Sequence, residues 1–222
     1  MSAIAQILLQ QGNRISGSDL KENYITDKLK GLGAQIYIGH HQDNVKDVDA
    51  VVYSSAIKPD NPELCLAAGM NIPIFKRAQL LHELMKDKAS ITVAGAHGKT
   101  TTTSLISGLL TFAGLNPTVA TGGVVCTSGN NAWTGDGKYF VAELDESDGS
   151  FLYFHPLISV VTNIDYEHVD YYGNWHNILA AYEKFIHQTQ KDGWLFACGD
   201  DPRLRSILNK YHHKKMSFGL SS

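Results

Sequence analysis

Gly95-Ala96-His97-Gly98-Lys99-Thr100-Thr101 is the stretch of this chain whose residue types and spacing most clearly suggest chemistry. An apolar, β-branched run from Ile91 to Ala94 opens into a glycine-bounded turn, followed by Lys-Thr and a helical pattern. That layout suits a nucleotide polyphosphate. Glycines let the backbone turn tightly and approach an anion without a Cβ in the way. Amides at a helix N-terminus, together with the helix dipole, favour negative charge at that point. Lys99 would reach the β/γ-phosphates and the Thr100 hydroxyl would ligate Mg2+. The standard P-loop spacing wants a glycine five positions before Gly98, where Val93 stands. A Gly/Lys/Thr turn without a phosphate role is therefore the competing reading.

Two further strand-like segments end in groups suited to the same site. Tyr139–Glu143 runs into Leu144-Asp145-Glu146-Ser147-Asp148, and Ile158–Ile164 runs into Asp165-Tyr166-Glu167-His168. Ligands of open α/β sheets sit outside the carboxyl ends of strands. Mg2+ takes oxygen ligands, often one or two carboxylates with phosphates and water. Glu143, at a strand mouth, is the first carboxylate candidate. The Asp145–Asp148 run reads equally well as a loop cap or a solvated surface, and spacing alone does not assign His168 to a metal. Thr121-Gly122-Gly123 reads either as a substrate-wrapping turn or as a plain glycine turn. Ser16-Gly17-Ser18-Asp19 and Ser54-Ser55-Ala56 follow strands and suit a ligand's sugar or phosphate, but Ser and Asp are also preferred helix N-caps. His40 and His41 read as opening a helix, Trp133, Trp175 and Trp194 as packing, and Asp201-Pro202 as an N-cap before a proline at N1.

The elements that must position these residues alternate. Over 222 residues, short β-branched runs interleave with helical patterns, which predicts an α/β class with largely parallel sheets. Helices are expected near Ala3–Gln10, Ile25–Leu32, Pro62–Ala68, Ala78–Lys86, Thr100–Ala113, Trp175–Gln188 and Pro202–Tyr211. Strands are expected at Arg14–Gly17, Gln35–Ile38, Ala50–Tyr53, Ile72–Phe75, Ile91–Ala94, Tyr139–Glu143, Ile158–Ile164, Trp194–Ala197 and Lys215–Phe218. The polar stretch Lys86–Ser90 reads as a linker, which predicts units at 1–88 and 89–222. A net charge of −3 with scattered Lys and Arg gives no reason to expect nucleic-acid binding, and no apolar run is long enough to span a membrane. Cys65, Cys126 and Cys198 lack metal or disulfide spacing and read as reduced thiols, which makes cytoplasmic the expected compartment.

The combination of Gly95–Thr103, Glu143–Asp148 and Thr162-Asn163-Ile164-Asp165-Tyr166-Glu167-His168 resembles the Mur ligases of peptidoglycan synthesis. Ser16–Asp19 and Ser54-Ser55-Ala56-Ile57-Lys58-Pro59-Asp60-Asn61-Pro62 look most like the members that join L-alanine to UDP-N-acetylmuramic acid. The resemblance covers essentially the whole chain. It implies a Rossmann-like N-terminal domain for the sugar nucleotide, then a P-loop-containing α/β ATPase domain, each matched in part. The family's opening strand and glycine-rich turn would precede Met1, and the rest of the central domain and an amino-acid-receiving domain would follow Ser222.

By the same resemblance ATP and Mg2+ are the cofactors, and Gly95, Ala96, His97, Gly98, Lys99, Thr100 and Thr101 hold the phosphates. Thr100, Glu143 and His168 hold metal, and Lys99, Glu143 and His168 are the catalytic set. Ser16, Ser18, Asp19, Ser54, Ser55 and Arg77 become candidates for the uridine-diphosphate pocket, with Gly122, Gly123, Ser147 and Asp148 nearer the muramyl group. An acyl phosphate is the expected intermediate. The alternatives are a relative that joins a tripeptide to the same sugar nucleotide, and a binding module without turnover.

Overall fold

A computed structural model of the chain describes residues 1–125 and 129–220. The chain divides into two compact units, Met1–Leu84 with Ala132–Thr134, and Met85–Asn131 with Gly135–Ser222.

In the first unit, helices α1 (Ser2–Gln10), α2 (Tyr24–Gly31), α3 (Pro62–Gly69) and α4 (Arg77–Met85) alternate with β1 (Ser16–Asp19), β2 (Gln35–Ile38), β3 (Val51–Tyr53) and β4 (Ile74–Lys76). The four strands do not join into one sheet. β1 pairs with β2 and β3 with β4, each pair parallel, so the expected Rossmann-like sheet is two separate two-stranded ribbons. Local side chains start the helices. Asn23 caps α2 by accepting from the Ile25 and Thr26 amides, and Asn61 caps α3 ahead of Pro62 at its first turn.

The remaining seven strands form one sheet. Its strands are β5 (Ala89–Ala94), β6 (Thr118–Val125), β7 (Asn130–Trp133), β8 (Tyr139–Glu143), β9 (Ile158–Val161), β10 (Trp194–Cys198) and β11 (Lys215–Phe218), in the order β11-β10-β9-β5-β8-β6-β7. Each neighbouring pair from β11 to β6 is parallel. β5, β8 and β9 therefore lie side by side at the centre, with their carboxyl ends at the same edge. Ile91, Val93, Phe140, Val141, Val160 and Val161 are buried, the near-continuous apolar pattern of strands covered on both faces. Ala89 and Ser90 belong to β5 rather than to a linker.

Three differences from the sequence expectation bear on the site. Thr118–Val125 is a strand, although Gly122 and Gly123 made it read as a turn. β9 ends at Val161 rather than Ile164, because Thr162 and Asn163 turn aside to hold the β5 loop. Helix α5 (Lys99–Phe112) buries Thr103 and Ser107, while Leu105, Leu109 and Phe112 are exposed. Small hydroxyl residues let this helix approach its neighbours closely, and the Ser107 hydroxyl is satisfied by the Thr103 carbonyl at 2.7 Å.

The remaining helices are α6 (Val169–Tyr172), α7 (Trp175–His187) and α8 (Pro202–Lys210). α7 is amphipathic, with Ile178, Ala181, Tyr182, Phe185 and Ile186 buried at helical spacing. Phe151 packs edge-on to Tyr182 and stacks on Phe185. Asp201 caps α8 as its sequence suggested. Its carboxylate accepts from the Arg203, Leu204 and Ile164 amides and from the Arg203 guanidinium. Trp175 lies against Tyr166 and Arg203, and Trp194 stacks on Phe196. Cys65 and Cys198 are free thiols, and Cys126 lies outside the described residues. Among the described residues no helix is long and apolar enough to cross a membrane.

Candidate functional site

The β5 loop is short and tightly held. Val93, where the standard P-loop spacing would begin, is fully buried inside β5, so the turn is confined to residues 95–98, and the P-loop expected of the ATPase domain is not present among the described residues of this chain. Gly95 has φ +138°, and a Cβ there would sit 2.1 Å from Thr162 Oγ1, so only glycine fits. Thr162 Oγ1 donates to the His97 carbonyl at 2.7 Å. Asn163 completes a two-way clasp: it accepts from the His97 amide through Oδ1 at 2.9 Å and donates to the His97 carbonyl through Nδ2 at 2.9 Å. The Ala96 amide donates to the Asn163 carbonyl at 3.2 Å. The His97 ring lies 3.2 Å from Asp165 Oδ2. Ala96 and His97 thus spend their amides on the clasp. The first-turn amides of Lys99, Thr100 and Thr101 have no capping side chain and no intrahelical acceptor.

Carboxylates from the end of β8 meet this helix start in two places. Thr100 Oγ1 donates to Glu143 Oε2 at 2.8 Å, and the Gly122 amide donates to the same oxygen at 2.9 Å. A Cβ on Gly122 would lie 2.8 Å from Glu143 Oε1, so the glycine in β6 makes room for that carboxylate. Lys99 Nζ donates to Glu146 Oε1 at 2.8 Å and to the Gly95 carbonyl at 2.6 Å, with the Ala96 carbonyl at 3.3 Å. His168 Nε2 stands 3.6 Å from the same Glu146 oxygen.

Lys99, Thr100, Glu143 and Gly122 are thereby brought together with a residue that sequence reasoning passed over. Glu146 is only 3% exposed, and its Oε2 has no hydrogen-bond partner. Burial pushes its carboxyl above the usual range, against the opposing pull of Lys99. Tyr172 donates from its hydroxyl to the Glu146 carbonyl at 2.5 Å, and burial raises the phenol so that it stays protonated. His168 is in the left-handed region at φ +56°, an uncommon conformation for a side-chain-bearing residue and a frequent mark of functional positions. Ligand atoms of Glu146, Glu167 and His168 lie within 4.8 Å of one another, a spacing that suits one cation. Asp145 and Asp148 serve the loop itself, accepting from the Ser147 and Ser150 amides at 3.0 Å each.

Of the first-unit candidates, Ser18 is seen in a polar knot, built around Glu63. Ser18 Oγ donates to Glu63 Oε2 at 2.7 Å and accepts from His40 Nδ1 at 2.9 Å. Glu63 Oε1 accepts from Asn44 Nδ2 at 2.8 Å and from the His41 amide at 3.3 Å. His41 caps a short 3-10 turn, Gln42–Val45, rather than opening an α-helix. Asp19 Oδ1 accepts from the Lys21 amide at 3.3 Å. Ser16 starts β1, Ser54 and Ser55 follow β3, where the Ser54 carbonyl accepts from the Ile57 amide, and Arg77 opens α4. Glu63 escaped notice because an acid after Asn-Pro reads as ordinary first-turn helix chemistry.

Residues 93–222 match the family described as Mur ligase middle domain, and residues 1–89 match the one described as Mur ligase family, catalytic domain. The chain belongs to the Mur ligase family. Among its curated relatives in this family, the UDP-N-acetylmuramate–L-alanine ligase of Aquifex aeolicus is 48% identical over 222 residues. That of Pelobacter propionicus is 49% identical over 223 residues. These matches cover 100% of this chain and 49% and 48% of the two relatives, so the chain spans about half their length. Among solved Mur ligases, the UDP-N-acetylmuramate-alanine ligase of Thermotoga maritima superposes with a TM-score of 0.89 at 31% identity, covering 100% of this chain and 50% of that one. A UDP-N-acetylmuramate:L-alanyl-gamma-D-glutamyl-meso-diaminopimelate ligase from Neisseria meningitides gives a TM-score of 0.89 at 25% identity, covering 99% of this chain and 74% of that one.

Proposed function

We propose that this chain is part of an ATP-dependent ligase that adds L-alanine to UDP-N-acetylmuramic acid in peptidoglycan precursor synthesis, acting in the cytoplasm. The observation that carries the reading is the meeting of Lys99 and Thr100, at the start of α5, with Glu143 and Glu146 from the end of β8. Names of relatives at 48–49% identity point the same way.

Residues 1–88 would form the sugar-nucleotide domain, with Ser16, Ser18, Asp19, Ser54, Ser55 and Arg77 near the uridine diphosphate. Residues 89–222 would form the ATP-binding domain. There the first-turn amides of α5 and the Lys99 ammonium would hold the triphosphate. Gly122, Gly123, Ser147 and Asp148 would lie toward the muramyl group.

The donor set fits a hard divalent cation. Thr100 and Glu143 offer adjacent oxygens, the orphaned Oε2 of Glu146 has unused acceptor capacity, and His168 Nε2 stands 3.6 Å from the other Glu146 oxygen, Oε1. Magnesium, when bound, would neutralise phosphate charge. A carboxylate resists amide formation because its oxygen is a poor leaving group. In the proposed reaction a carboxylate oxygen of the sugar nucleotide bonds to the γ-phosphorus as the bond to ADP breaks. The amine of L-alanine then bonds to the acyl carbon, inorganic phosphate leaves, and the amine gives up a proton. Lys99 serves by offsetting charge on the phosphoryl oxygens, and the clasped 95–98 loop by holding geometry.

Phosphate release from the protein at its relatives' full length tests this reading. It should require UDP-N-acetylmuramic acid and L-alanine together. Release driven by a tripeptide and not by L-alanine would reassign the acceptor, and binding of nucleotides without release would leave only a binding module.

A further inference from the structure

In the second unit, the Lys99 ammonium has three protons and three protein acceptors: Gly95 O at 2.6 Å, Ala96 O at 3.3 Å and Glu146 Oε1 at 2.8 Å. A lysine saturated in this way has no proton left for a phosphate. One acceptor must give way before Lys99 can serve an anion. The two carbonyls belong to the loop that carries Lys99, and that loop is held at the His97 carbonyl and the Ala96 amide by the Thr162–Asn163 clasp. Glu146 comes from the other side, bears charge, and would face the incoming phosphate as a like charge at short range. It is therefore the acceptor that must be exchanged.

Glu146 is also built to be released. Only one of its oxygens is paired, Oε1, with His168 Nε2 3.6 Å from that same oxygen, and the other is buried with no partner. A carboxylate whose sole purpose was to anchor Lys99 would have both oxygens satisfied, since an orphaned buried acceptor costs free energy. The backbone beneath it is held separately, by the Tyr172 hydroxyl on the Glu146 carbonyl. The side chain can therefore change partner without the loop moving.

We propose that Glu146 is a resting-state stand-in for phosphate: it parks Lys99 against the 95–98 loop, and triphosphate binding proceeds by exchange of this carboxylate for a phosphate oxygen. Glu146 is in this sense a positioning residue that sets how tightly the loop takes an anion. The idea rests on the triphosphate reading of the loop given above.

The test is calorimetric titration of the 222-residue chain with inorganic tripolyphosphate in EDTA, alongside Mg-ATP as a separate check on the loop. Glu146→Gln removes the charge, and Glu146→Asp keeps it while withdrawing the oxygen from Lys99. Both should bind tripolyphosphate about tenfold more tightly than the parent, the scale of coupling expected between contacting residues. Glu167→Gln, which removes a neighbouring charge that does not touch Lys99, should change affinity by less than about twofold. The gain from Glu146→Gln should vanish when Lys99 is also replaced by Met.

Equal tightening by Glu167→Gln, survival of the gain without Lys99, or unchanged affinity in Glu146→Asp would overturn the exchange and leave only general electrostatics. Unfolding midpoints of each variant identify a misfolded chain, and Glu146→Asp then decides the matter if Glu146→Gln fails to fold. If the parent chain binds Mg-ATP and neither Glu146 variant gains tripolyphosphate affinity, the exchange is wrong and the loop reading stands. If the parent binds no Mg-ATP, the loop reading falls and the exchange falls with it.

Discussion

Two glutamates, one in each unit, organise the polar groups around them in opposite ways. Glu63 in the first unit uses both oxygens: Ser18 donates to one, and Asn44 and the His41 amide to the other. Glu146 in the second unit is more deeply buried yet uses one oxygen, for Lys99, and leaves the other bare. A satisfied carboxylate of the first kind is a structural knot, because every partner loses its acceptor if it goes. A half-satisfied one retains binding capacity, which proteins keep at sites where something else is to bind. The contrast separates a residue that holds the fold from one held ready for a ligand.

The largest effect expected is at Lys99. Lys99→Ala in the protein at its relatives' full length should lower phosphate release by about a hundredfold or more, on the scale of losing a preorganised charge partner. A rate within a few-fold of the parent would break the assignment. Next comes Glu63→Ala, which should cost about 2–4 kcal/mol in denaturant unfolding, because three donors lose their acceptor together.

Asp201 marks an intermediate case, since its cap is saturated as Glu63 is. Asp201→Asn should cost about 1–2 kcal/mol at neutral pH. Burial raises the Asp201 carboxyl, but the Arg203 guanidinium and the Ile164 and Arg203 amides more than reverse this, and it ends below its ordinary 3.8. A lowered carboxyl stabilises the fold above that ordinary value and loses its contribution as pH falls through the lower, folded one. The gap between parent and Asp201→Asn, followed by urea melts from pH 7 to pH 2, should therefore be full at pH 7 and close below about pH 3.8.

The smallest effect sharpens the comparison most. Glu146→Gln should change stability by less than about 1 kcal/mol, because no donor faces its second oxygen and Lys99 keeps two carbonyls. The same substitution at Glu63 should cost about 1–2 kcal/mol, since the new amide sets donors against donors. Equal losses at the two positions would erase the distinction.

Much of this is legible in the sequence, for identifiable reasons. Lys99 and Thr100 announce themselves because Gly-x-x-Gly-Lys-Thr stands between a β-branched run and a helical pattern, where a polyphosphate would sit. Tyr139–Glu143 was readable to the residue, since its apolar run ends abruptly on an acid. β6 was hidden because Gly122 and Gly123 look like a turn, when one of them makes room for the Glu143 carboxylate. Glu146 was hidden by its neighbours: in an acidic run, only burial distinguishes the carboxylate that binds from Asp145 and Asp148, which cap their own loop. The Thr162–Asn163 clasp could not be read either, since nothing local tells a strand's last residues to leave the sheet for a loop more than sixty positions earlier.

The most direct measurement is a crystal structure of the chain with Mg2+ and a non-hydrolysable ATP analogue. The account requires the terminal phosphates at the start of α5, with Lys99 Nζ on a phosphate oxygen and no longer on Glu146. Nucleotide bound elsewhere, or bound there with the Lys99–Glu146 pair still closed, would contradict it.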